Sequence, residues 1–141
     1  MTDPIEITDD EILYRKIAVL FDWYDPSLSE VNPQAFKPNR FDIDGISVDR
    51  AHSERHPEFR RIAEAAQGRQ DEYYIAELRA GDLRKYGFIL HADPLPQNPG
   101  HALITDLTYA NRKDSESEKK MILLGRDLVL RVGGPFPSGS E

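Results

Sequence analysis

The chain is predicted to fold as a single α+β domain, with a mixed or mainly antiparallel sheet of five to six strands and two helices. Three observations lead there. The length, 141 residues, suits one hydrophobic core and not two. Apolar residues alternate with period two in several short runs, and they recur at helical spacing in two others. With hydrophobic residues at 39% and charged residues at 30%, the chain has enough apolar surface to fold but no excess of it.

The elements follow in order. Met1 to Asp10, with Asp3, Glu6, Asp9 and Asp10 among few apolar groups, reads as a disordered acidic arm (1–10) preceding the domain (11–132). Glu11 to Phe21 is rich in Ile, Leu, Tyr and Val and is taken as the first strand. Its alternation places Leu13, Arg15, Ile17 and Val19 on one face. Asp22 to Arg40 carries Pro26, Pro33 and Pro38 and reads as a long surface connection. Phe41 to Asp49 is the second strand, with Gly45 shifting the phase as a bulge does. Between His56 and Ala66, Phe59, Ile62, Ala63 and Ala66 form a helical stripe, with Pro57 in the first turn and Gly68 at the exit.

Glu72 to Leu78 is a strand by composition, and the AGDLRKYG segment is one helical turn closed by Gly87. Phe88 to Ala92 and His101 to Tyr109 are two strands joined by a stiff loop containing Pro94, Pro96 and Pro99. Ser115 followed by Glu118 is a capping-box signature opening a second helix through Met121, Leu124 and Leu128. A strand over Arg126 to Val132 is the alternative. Residues 133–141 read as a flexible tail.

Composition restricts function. Lys and Arg number 18 against 25 Asp and Glu, a net charge of −7, which disfavours phosphate backbones and anionic membranes as partners. Without cysteine, thiol nucleophiles and thiolate metal sites are excluded. No run approaches the roughly 18 apolar residues of a membrane span, so a soluble, cytoplasmic protein is expected.

Several residues carry chemistry. Arg15 lies among aliphatic neighbours, where a guanidinium meets either an internal carboxylate or an anionic ligand. His52, Glu54 and His56 read H-x-E-x-H. His91 and His101 flank the proline loop, with Asp93 as a third weak candidate for a metal site. Simple hydrogen bonding of His101 to the loop backbone is the plainer alternative, and no metal is assigned. Ser29, Ser47 and Ser53 lack the glycine-flanked elbow of serine hydrolases, so that chemistry is not expected. Trp23 and Tyr24 in the proline-rich connection are candidate protein-interaction residues; Trp23 closing one end of the core is the plainer alternative.

LYRKI at Leu13–Ile17, GISVDR at Gly45–Arg50 and YYIAELRAGDLR at Tyr73–Arg84 resemble, in order, the start of ADP-ribosyltransferase-type domains, including RES-type NAD-degrading toxins. That resemblance implies NAD as cofactor or substrate, with Arg15 holding the dinucleotide, Ser47 supporting the nicotinamide ribose and Glu77 polarising its hydroxyl. LYRKI, Phe36, GISVDR and PLPQNPGHALI (Pro94–Ile104) together also resemble a set of small uncharacterised bacterial proteins, which implies a bacterial source and an α+β domain. Because no complete catalytic set is present, the favoured expectation is an accessory or interaction module whose partner is another protein and which uses no cofactor. An NAD-using transferase or glycohydrolase is the alternative.

Overall fold

Six strands make one antiparallel sheet in the order β6-β7-β4-β1-β5-β8. The strands are β1 (Ile12–Ala18), β4 (Ile46–Arg50), β5 (Tyr73–Arg79), β6 (Leu90–Ala92), β7 (His101–Ile104) and β8 (Val129–Gly133). A two-stranded ribbon, β2 (Tyr24–Asp25) and β3 (Glu30–Val31), stands apart from them. Helices α1 (Ala80–Lys85) and α2 (Ser115–Leu123) complete the α+β architecture. The structure is a computed structural model and describes residues 6–27, 30–50, 72–96 and 100–135. The helix expected over His56–Ala66 lies outside the described residues, as do His52, Glu54, Ser29, Ser53 and Pro99.

Cross-strand partners in an antiparallel ladder share a face, so the register divides the sheet. Leu13, Ile17, Ile46, Val48, Leu78, Ala102 and Ile104 are buried on one face and belong to the main core. Met121 of α2, Leu124 and Leu128 after it, Leu83 of α1 and Phe36 join the same cluster. Ile7 joins it too, while the Asp9 carbonyl accepts the Gly81 N–H at 2.7 Å and the Asp9 carboxylate meets Arg84 at 2.8 Å. Part of the expected acidic arm is therefore held against the domain.

The differences from the sequence expectations have local causes. β1 stops at Ala18 because the chain enters a 3-10 turn, Val19–Phe21, capped by Asp22 in the left-handed region at φ 54°. β4 begins at Ile46 and not at Phe41, and the side chains of Phe41 and Ile43 are 77% and 67% exposed. Gly45, at φ 147°, marks the change: an added Cβ would lie 2.6 Å from the Ile104 carbonyl oxygen, a separation that only glycine allows.

The proline-rich connection is partly buried. Asn32 caps a second 3-10 turn, Pro33–Phe36, by accepting the Gln34 N–H, with Pro33 in the first turn. Ala35 and Phe36 are buried there.

The expected capping box does not form. Asp114 is the N-cap of α2, and its main-chain carbonyl accepts the Glu118 N–H at 3.0 Å. Both readings of the C-terminal segment are realised in succession: α2 passes through a π-turn, Leu124–Leu128, directly into β8.

Candidate active site

Arg15 points to the core face, between Leu13 and Ile17, and opposes Ala76. Its Nε donates to the Ala35 carbonyl at 3.1 Å and its Nη1 to the Ser47 carbonyl at 2.8 Å. The second bond has a backbone origin. The Arg50 N–H is directed to Gly100 beside β7, so by alternation the main-chain groups of Asp49 and Ser47 face β1. The β1/β4 ladder, however, registers only Leu13↔Arg50 and Tyr14↔Asp49. Arg15 occupies the gap and supplies the donor that the ladder does not.

Burial pushes the Arg15 guanidinium down from its ordinary value, and the negative charges of Asp42 and Asp49 push it back up. It remains a cation, and among the described residues its bonds go to carbonyls and not to a carboxylate. Arg15→Lys keeps the charge but loses the planar fork that bridges two carbonyls. The expected result is a loss of about 1–2 kcal/mol, read as a lower urea midpoint at unchanged slope. An Arg15 held in reserve for a ligand would show no such loss.

The opposite face carries Ser47 and Asp49 on β4, His101 and Leu103 on β7, Tyr14 and Lys16 on β1, and Glu77 on β5. Arg15, Ser47 and Glu77 therefore do not converge. Only the Ser47 carbonyl meets Arg15, and the Glu77 carboxylate is 3.1 Å from Arg131 Nε of β8. The arrangement that the NAD-type resemblance implies is not assembled.

Three other residues do come together. His101 Nε2 is 3.0 Å from Ser47 Oγ, and His101 Nδ1 is 3.0 Å from Asp93 Oδ2 and 3.1 Å from the Asp93 carbonyl. The hairpin of β6 and β7 holds this geometry, because the Asp93 N–H donates to the His101 carbonyl at 2.9 Å and sets the two residues opposite each other. The β4/β7 register then places Ser47 diagonally across from His101.

Partner chemistry assigns the proton. Both neighbours of Nδ1, a carbonyl and a carboxylate, are acceptors, so Nδ1 carries the hydrogen. Nε2 of the neutral ring is then left with its lone pair directed at the Ser47 hydroxyl, which donates to it. This is the arrangement in which a histidine can take a serine proton as general base, with a carboxylate fixing its tautomer. Ser47 is exposed and can be approached by a substrate, whereas His101 is mostly covered. Lys16, on the same face one strand away, pairs with Asp49 at 3.7 Å.

His91 lies on this face beside the cluster, opposite Leu103. Among the described residues no three acidic or histidine side chains gather as metal ligands; Asp93 and His101 meet as hydrogen-bond partners. Trp23 and Tyr24 are half-buried against the core, with Phe21 stacked on Trp23 at 4.6 Å and Tyr24 edge-on to Tyr74 at 4.9 Å. No helix of the described residues is long and apolar enough to cross a membrane.

The serine relay is not legible in the sequence: Ser47 lacks an elbow, and His101 and Asp93 read there as weak metal ligands, with hydrogen bonding of His101 to the loop backbone as the plainer alternative, which the Asp93 carbonyl contact matches. The available signal was a serine and a histidine each placed on a predicted strand with an acid beside the histidine's hairpin. Comparison with protein-family models, curated proteins and solved structures finds no match for this chain.

Proposed function

We propose that the chain is a small hydrolase or acyl-transfer enzyme in which Ser47 is the nucleophile, His101 the general base and Asp93 the positioning residue. The observation that carries this reading is the unbroken hydrogen-bond path from Ser47 Oγ through both ring nitrogens of His101 to Asp93. In the reaction, Ser47 Oγ attacks an acyl carbonyl carbon while its proton passes to Nε2. The bond to the leaving group then breaks, and the leaving group departs with that proton. Water completes the cycle by the same route, giving its proton to Nε2 and releasing the acid and the free serine.

A fluorophosphonate probe tests the assignment, because it phosphonylates a serine only where a base removes the proton. The expected result is a single adduct mapped by mass spectrometry to Ser47, absent in His101→Ala protein of unchanged circular dichroism. An unlabelled wild-type protein, or equal labelling of the variant, would remove the basis for this reading.

A second reading, an interaction module binding another protein, is supported by the exposed side chains of Leu20 (83%) and Phe21 (55%) beside Trp23. It is compatible with catalysis, since these residues sit on the 3-10 turn and not on the serine face.

A further inference from the structure

A cavity of about 340 Å³ lies beneath the π-turn, lined by Tyr24, Val31, Gly125, Arg126, Val129 and Val132 among others. Its volume falls within the range of small-ligand sites. A π-turn is rare and is frequent at functional positions, and here it serves the cavity directly. Gly125 lies against the ribbon so closely that an added Cβ would be 2.5 Å from the Val31 carbonyl oxygen. Arg126, the next residue, is exposed and lines the cavity.

Arg126 makes no ion pair or hydrogen bond among the described residues, in a chain whose acids outnumber its bases 25 to 18. Arg131 also lines the cavity, but its charge is matched by Glu77 at 3.1 Å. Among the described residues that line the cavity, one cationic charge is thus unmatched. The remaining lining residues are Val31, Val129, Leu130, Val132 and Tyr24, whose ring makes an edge contact with Tyr74.

We infer that this cavity binds a small monocarboxylate with an apolar body, its carboxylate on the Arg126 guanidinium and its hydrocarbon against the three valines. The planar fork of arginine suits a carboxylate, a single unmatched cation suits a monoanion, and the aliphatic residues of the lining suit an apolar tail. The site is at the β8 edge of the sheet, three strands from β4 and its Ser47, so it is separate from the serine chemistry.

The experiment is an amide-shift NMR titration of the full chain with hexanoate, and in parallel with hexanol, acetate and inorganic phosphate. Hexanoate is expected to move the resonances of Val31 and 125–132 saturably, with hexanol, acetate and phosphate each at least about tenfold weaker. Arg126→Ala, an exposed substitution, is expected to weaken hexanoate at least about tenfold, the equivalent of about 1.4 kcal/mol. Hexanol binding as well as hexanoate, phosphate binding better than hexanoate, unchanged affinity in Arg126→Ala, or no saturable shift at that site would each overturn the proposal.

Discussion

Ser47→Ala and His101→Ala are each expected to lower turnover of an activated ester, such as p-nitrophenyl acetate, by at least about 10³-fold, and the double variant no further. The two side chains act as one unit: without the base the hydroxyl keeps its proton, and without the hydroxyl there is nothing to deprotonate. Losses that multiply in the double variant would show two independent effects and would contradict a shared relay. Asp93→Asn is expected to do less than the ~10⁴-fold loss that follows when a histidine turns to the wrong tautomer. Here the main-chain carbonyl of Asp93 also accepts from Nδ1, and it survives the substitution. That difference distinguishes this relay from one held by a carboxylate alone.

The largest effect on stability is expected at Phe36. The ring is fully buried, and the 3-10 turn that carries it packs against α2 and the π-turn. Phe36→Ala is expected to cost about 3–5 kcal/mol through lost burial and the cavity left behind. Domains of this size are stable by about 5–15 kcal/mol, so the melting temperature should fall on the order of 10 °C. The neighbouring Ala35 carbonyl receives Arg15 Nε, so loosening this turn also withdraws one support of the Arg15 bridge. Ile122→Ala, on the exposed side of α2, serves as the control and should stay within about 0.5 kcal/mol. A comparable loss in both variants would mean that the turn is not an anchor.

The sheet was legible because burying one face imposes period two on the residues that form it. Alternation alone puts Leu13, Arg15, Ile17 and Val19 on one face; the register bears out the first three, while Val19 lies in the 3-10 turn beyond the strand. Boundaries were less legible. Phe41 and Ile43 alternate as a strand does, yet they precede Gly45 and are exposed, since pattern does not reveal where a ladder partner ends. The C-terminal segment satisfied helix and strand patterns at once, and the π-turn allows the chain to use both.

By itself the sequence determined the α+β class, the strands that supply Ser47 and His101, the absence of thiol chemistry and the position of Arg15 among aliphatic neighbours. These are local properties, written in periodicity and composition. The tertiary structure decided which strands lie side by side. Ser47 and His101 are 54 residues apart, and no periodicity states that β4 pairs with β7, so their contact exists only once long-range pairing has set the strand order. The same pairing turned Arg15 from a candidate ligand anchor into a brace for two carbonyls, because a ladder that ends early leaves an acceptor that a buried cation can fill.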